Sequence, residues 1–114
     1  MDLSGIEFPL RRQDGGYLGM TTLEEQEWCK QFTASRYTGE GALVELGAFF
    51  GSLSLSLADG LAEAVEAGRL TKEQALLESY DLFYWHRSMI NSIKGTPLEG
   101  RIEEGDWFFE VFQA

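Results

Sequence analysis

The sequence is poor in basic residues. Nine lysines and arginines stand against nineteen aspartates and glutamates, which gives the 114-residue chain a formal net charge of −10 at pH 7. A surface of that sign repels phosphate backbones and anionic lipid head groups. We therefore expect no nucleic-acid partner and no attachment to a membrane surface.

Cysteine is nearly absent as well. Cys29 is the single cysteine, so the chain cannot form an intramolecular disulfide and does not belong with the disulfide-rich secreted scaffolds. The first residues show no basic segment followed by an apolar run, which a secretory signal would require. These observations predict a cytoplasmic location.

The chain also lacks a long uninterrupted apolar run. Its most apolar window, residues 42–62, is broken by Glu45 and Asp59 and diluted by serines. A charged residue near the centre of a bilayer costs about 2.5 to 3.5 kcal/mol on insertion scales, so we do not expect this window to span a membrane. No group of histidine, cysteine and carboxylate residues has the spacing of metal ligands, and we expect no metal.

Residues 1–20 have no sustained hydrophobic period, and we interpret them as an extended N-terminal arm. A single domain, residues 21–114, follows. Thr22 and Glu25 have the spacing of a capping box, which predicts the start of a helix over about residues 23–35.

The most informative stretch predicts a strand, a glycine turn and a helix. Residues 42–46 are short, mostly apolar and flanked by glycine, as is typical of a buried parallel strand. A leucine or valine then recurs every fourth residue from Leu53 to Val65, which indicates a helix that Gly68 would end. The chain is therefore predicted to be an α/β protein.

The remaining elements are predicted less sharply. Residues 76–81 favour a second strand, and Met89 begins a short apolar pattern that favours a helix ending at Gly95. Asp106 has the position of an N-cap for a final helix. That helix would carry the late aromatic residues Trp107, Phe108 and Phe112.

The glycine turn is suited to receive a ligand. Gly47 and Gly51 let the main chain turn tightly without a side chain in the way, and the helix that begins near Ser52 offers unpaired N–H groups. Ligands of open α/β sheets bind at the carboxyl ends of the strands. Asp81, after the second predicted strand, could accept hydrogen bonds from ribose hydroxyls.

The spacing of the turn favours one class of cofactor over others. Phe49 stands where a dinucleotide fingerprint needs its second glycine, so NAD is a disfavoured alternative. No Gly-Lys-Ser/Thr sequence follows Gly51, so the turn is not a P-loop. A ligand with an adenosyl ribose and no phosphate fits the spacing better.

These residues resemble a known family. The segment Val44–Ser52 is similar to the first motif of class I S-adenosylmethionine-dependent methyltransferases, particularly the macrocin O-methyltransferase-like group. Tyr80–Phe83 resembles the acidic position of that group after its second strand, and Glu104–Phe108 resembles a later helix opening. The resemblance covers about residues 20–114 and only the N-terminal half of the family's domain.

The resemblance implies a Rossmann-like methyltransferase half-domain of α/β class, with few parallel strands flanked by helices. It implies S-adenosylmethionine as cofactor, in the cofactor-binding part of a small-molecule or sugar O-methyltransferase-like protein that is incomplete for catalysis alone. Asp81 would hold the ribose, and the strand end and turn would surround the methionine part. The implied site residues are Glu45, Gly47, Ala48, Phe49, Gly51, Ser52 and Asp81.

The alternative function is that of a non-catalytic acidic interaction module, which self-associates through its aromatic C-terminal face. Two parallel strands do not make a stable sheet by themselves, so we expect either a homo-oligomer or a missing C-terminal half. Glu45, in the interior of a strand, needs a partner if it is buried. His86 is more simply read as a surface histidine than as a general base.

Overall fold

The protein is a mixed α/β structure with a small parallel sheet. The computed structural model describes residues 1–113. In chain order the elements are helix α1 (Leu23–Ser35), strand β1 (Leu43–Leu46), helix α2 (Ser52–Glu66), strand β2 (Leu77–Tyr80), a 3-10 helix (Arg87–Ser92) and helix α3 (Phe109–Gln113). The predicted α/β class is confirmed, and so are the two strands.

Helix α1 has the bounds that its capping residues predict. The Thr22 hydroxyl accepts a hydrogen bond from the Glu25 N–H at 3.1 Å, and the Glu25 carboxylate accepts one from the Thr22 N–H at 2.9 Å. Both bonds together satisfy two N–H groups that the first helical turn leaves free. The local sequence is therefore sufficient to place this end.

Helices α1 and α2 pack closely against each other, and α2 covers one face of the sheet. Gly60 of α2 lies directly against Thr33 and the carbonyl of Lys30 in α1. The Thr33 hydroxyl, fully buried, also donates to the Leu57 carbonyl at 2.9 Å. No helix in residues 1–113 combines the length and the apolar character needed to cross a bilayer.

Strands β1 and β2 run parallel and pair from Leu43 with Leu77 to Leu46 with Tyr80. The alternation of the strands points Leu43 and Leu77 toward a small core shared with α2. The opposite face of the sheet is exposed, and Leu46 on that face is 80% exposed. In the described structure the sheet is covered on one side only.

The larger core lies beyond the carboxyl ends of the strands. It joins the turn after β1 to the aromatic residues of the C-terminal third, and Phe49 and Phe50 stack on Trp85 and meet Phe108 edge to face. Aromatic pairs at these separations add to the energy of burial. The late aromatic residues are thus mostly used inside the protein, although Trp107 is exposed.

Residues 1–20 fold back on themselves rather than extending away. Arg11 forms an isolated antiparallel bridge with Tyr17, and the Leu18 N–H donates to the Leu10 carbonyl at 2.9 Å. The apolar side chains of this arm pack on the larger core, with Leu18 buried in it.

Two predictions for the C-terminal third need correction in detail. The helix predicted at Met89 is present, as a 3-10 helix that ends at Ser92 and not at Gly95. Asp106 does not cap a helix: its carboxylate accepts the Glu103 N–H at 2.8 Å and closes a turn, and Trp107 bridges to Tyr84. Because residues 106–108 are paired with residues 83–85, the last helix begins only afterwards.

Candidate functional site

The turn after β1 is held onto the end of β2. Gly47, with φ +78°, lies in the open, and a side chain built there would meet nothing within 4 Å. The N–H groups of Gly47 and Ala48 both donate to the Tyr80 carbonyl, at 2.8 and 3.2 Å. The carboxyl ends of both strands and the bare main chain of Gly47 are thereby brought to one place.

Asp81 holds two strained bends of the main chain. One carboxylate oxygen accepts the N–H of Phe49 at 2.9 Å, and the other accepts the N–H of Phe83 at 2.7 Å. Both phenylalanines have positive φ, 52° and 54°, which is rare for bulky side chains. Such backbone persists only where the surroundings fix it, and here the carboxylate does so.

An open groove of about 740 Å³ lies at the carboxyl ends of the two strands. Gly47 and Asp81 both line it, which brings together the glycine and the acid that the sequence singled out. The other lining residues are mostly apolar or aromatic: Leu46, Tyr80, Leu82, Tyr84, His86 and Met89. The location agrees with the general position of ligand sites in open α/β sheets.

The other five predicted site residues do not line this groove. Ala48 and Phe49 are buried in the larger core, and Gly51 lies against the ring of Phe112. Ser52 is buried, and its hydroxyl is 2.7 Å from that of Thr21. The N-terminal end of α2 is therefore covered by the arm and is not open toward the groove.

Glu45 is buried on the inner side of the sheet, and its carboxylate has hydrogen-bond donors there. One carboxylate oxygen accepts hydrogen bonds from the hydroxyls of Ser54 and Ser79, the latter at 3.0 Å. Burial of a carboxylate is tolerable only with such bonds. Glu45 thus links β1, α2 and β2 and does not reach the groove.

Sequence reasoning missed most of the groove's walls. Leu46 and Tyr80 are outward-facing strand residues, and their position next to the two strand ends is the signal that could have identified them. His86 is exposed, as the sequence predicts for a surface residue, and it also lines the groove. Its Nδ1 accepts the Ser88 N–H at 3.2 Å, and its Nε2 is 3.8 Å from the Glu104 carboxylate.

Neither Tyr80 of the groove nor the thiol of Cys29 is an activated nucleophile, because the pKa of each is raised. The hydrogen bond that Tyr80 donates to Glu78 raises the pKa of Tyr80, and the charge of Glu78 adds to this. Burial raises the pKa of the Cys29 thiol, with further contributions from Glu45 and Glu25. A thiol of that kind stays protonated and unreactive.

Within residues 1–113, no group of three or more histidine, cysteine and carboxylate side chains could hold a metal ion. The residues that line the groove offer hydrogen bonds and apolar contact.

Comparison of the chain with known protein families, with curated proteins and with solved structures finds no match.

Proposed function

We propose that the chain binds an adenosyl ligand, S-adenosylmethionine, in the groove at the carboxyl ends of β1 and β2. The observation that carries the proposal is the meeting of Gly47 and Asp81 in one open groove. A Rossmann-like cofactor-binding half-domain would likewise have bare main chain after its first strand and an acid after its second, which supports the proposal. By the resemblance to class I methyltransferases, the chain would be the cofactor-binding part of a protein that methylates an oxygen of a small molecule or sugar.

The residues of the groove fit the parts of such a ligand. Asp81 uses one lone pair of each oxygen for the main chain, and a carboxylate oxygen has a second that can accept a ribose hydroxyl. Tyr80 and Met89 offer apolar surface for the adenine ring. The groove volume lies within the range of small-molecule sites, and the acidic protein attracts a sulfonium cation.

The proposal narrows the set of contacts that the resemblance implies. Glu45, Phe49, Gly51 and Ser52 would support the groove from behind, since all four are buried away from it. Among the predicted site residues, only Gly47 and Asp81 would contact the ligand directly. No residue is assigned to methyl transfer itself.

Isothermal titration calorimetry with S-adenosylhomocysteine tests the proposal. Gly47→Asn places a side chain on the groove floor and is expected to weaken binding at least about tenfold, since the ligand needs close approach to the main chain there. Asparagine tolerates the positive φ of this position better than most residues.

Gly68→Asn is the matched control. Gly68 has nearly the same φ, +76°, is equally open, and lies outside the groove. The control is expected to bind like the wild type. Equal loss in both variants would contradict the proposal, and so would tighter binding of NAD. No binding at millimolar ligand, together with self-association through the last helix, would favour the interaction module instead.

A further inference from the structure

The uncovered face of the sheet carries several exposed apolar side chains close together. We call this surface the outer face; it consists of Val44, Leu46, Glu78 and Tyr80, with Leu82 following directly. Of the eleven large apolar side chains exposed in residues 1–113, Val44, Leu46 and Tyr80 lie in the two strands, and Leu76 and Leu82 lie within two residues of β2. Isolated exposed apolar residues are ordinary, but a continuous surface of them marks an interaction site.

A parallel sheet also needs cover on this side. Parallel strands occur almost only where helices cover both faces, and here α2 covers one face while Leu46 and Leu82 stay 80% and 88% exposed on the other. A helix is the element that normally fills this position in α/β proteins. The architecture of the sheet therefore favours a helix that packs its apolar side against the outer face.

The negative charge of Glu78 determines which kind of helix can bind to the outer face. Glu78 lies within the outer face, directly across from Val44, and its carboxylate accepts a hydrogen bond from the Tyr80 hydroxyl at 3.2 Å. Among residues 1–113, the ion pairs within 4.0 Å are Arg12–Asp14, Lys30–Glu63 and His86–Glu104, so no cation of the described chain pairs with Glu78. Covering this carboxylate without a positive partner would be costly.

The same charge argues against a second copy of the chain. In a symmetric dimer the same patch is used by both subunits, so a dimer through the outer face would bring two Glu78 carboxylates into one interface. Each subunit also carries a net charge of −10, and like charges brought together at an interface disfavour association.

We infer that the outer face is the docking surface for an amphipathic helix of a partner protein, whose apolar stripe carries a lysine or arginine opposite Glu78. Val44, Leu46 and Tyr80 receive the stripe, and Glu78 selects a positive partner. The inference stands without the adenosyl ligand, although Leu46, Tyr80 and Leu82 also line the groove.

The test uses fluorescence anisotropy of a labelled amphipathic peptide made of repeated Leu-Lys-Lys-Leu-Leu-Lys-Leu heptads, titrated with the full chain at about 0.15 M salt. We expect saturable binding by the wild type and at least about tenfold weaker binding by Leu46→Asp. Trp28→Asp is the matched control: it introduces the same charge at an exposed apolar residue on α1 and is expected to leave binding unchanged.

Two further variants make the result decisive. If Leu46→Asp lowers the melting temperature, its weaker binding could come from unfolding. Leu82→Asp, which lies outside the strands, is then expected to show the same loss of peptide binding. Glu78→Lys is expected to weaken binding of the lysine peptide and to create binding of the same peptide with glutamate in place of lysine. That exchange of preference would establish the role of Glu78.

Three outcomes would overturn the inference. A scrambled peptide of the same composition that binds equally well would show general attraction to an acidic protein. Equal losses for Leu46→Asp and Trp28→Asp would place the site elsewhere. Sedimentation that shows a dimer of the chain, dissociated by Leu46→Asp, would make a second copy the occupant.

Discussion

Asp81 is the residue on which the groove and the core both depend. Its carboxylate fixes Phe49 and Phe83 in positive-φ conformations, and each bend directs an aromatic ring into the larger core. The same carboxylate lines the groove. A role in ligand binding therefore has to be separated from a role in folding.

Asp81→Ala is expected to lower the free energy of unfolding by about 2 to 3 kcal/mol, because two main-chain N–H groups lose a charged acceptor. Asp81→Asn, which keeps one oxygen acceptor, should lose about half of that. Urea unfolding followed by circular dichroism measures both values.

Asp106→Ala provides the comparison for this residue. Asp106 accepts a single exposed main-chain N–H, that of Glu103, so the expected loss is below about 1.5 kcal/mol. Equal losses at Asp81 and Asp106 would show that Asp81 does not hold the two bends together.

At the scale of elements, the contact between α1 and α2 depends on a glycine. Gly60 lies so close to Thr33 and to the Lys30 carbonyl that a Cβ would overlap both. The helical spacing of leucine in α2 predicts the helix but does not explain a glycine in its middle, where glycine lowers helix stability by about 1 kcal/mol relative to alanine. The close contact with α1 explains it, because only glycine leaves room for Thr33 and the Lys30 carbonyl.

Gly60→Ala is accordingly expected to destabilise the protein by about 1 to 3 kcal/mol, because the crowding outweighs the gain in helix propensity. The measurement is the free energy of unfolding in urea.

Ala62→Gly tests the opposite case on the same helix. Ala62 is exposed, so this change should cost about 1 kcal/mol through propensity alone. A stabilising effect of Gly60→Ala would mean that the two helices are further apart than described.

Elements differ in how far the sequence could predict them. The start of helix α1 was predicted correctly because Thr22 and Glu25 act within one turn. The last helix was predicted with Asp106 as its N-cap but starts at Phe109, because pairing of residues 106–108 with residues 83–85 takes their backbone groups. Such pairing joins distant parts of the chain and has no local sequence pattern.

At the scale of the whole molecule, the N-terminal arm is part of the fold. Leu18 is 5% exposed in the larger core, and Arg101 donates to the carbonyls of Asp2 and Ser4 at 3.1 and 2.9 Å. The arm also covers Ser52 at the start of α2. The sequence of the arm has no hydrophobic periodicity because the arm is made of turns and contains no helix or strand.

Leu18→Ala is therefore expected to cost about 2 to 5 kcal/mol, the range for truncating a buried leucine. Met20→Ala, two residues away and exposed, should change the free energy of unfolding by less than about 0.5 kcal/mol. Chemical unfolding of both variants checks this. A small effect of Leu18→Ala would mean that the arm is dispensable.

The sequence by itself determined the α/β class and the order of strand, turn and helix, because these follow from spacing and from the behaviour of residues near one another in the chain. Only the tertiary structure decided that Gly47 and Asp81 share a groove while Gly51 and Ser52 lie outside it. It also decided that one face of the sheet stays uncovered. These outcomes depend on which distant segments pack together, and neither hydrophobic period nor motif spacing records that.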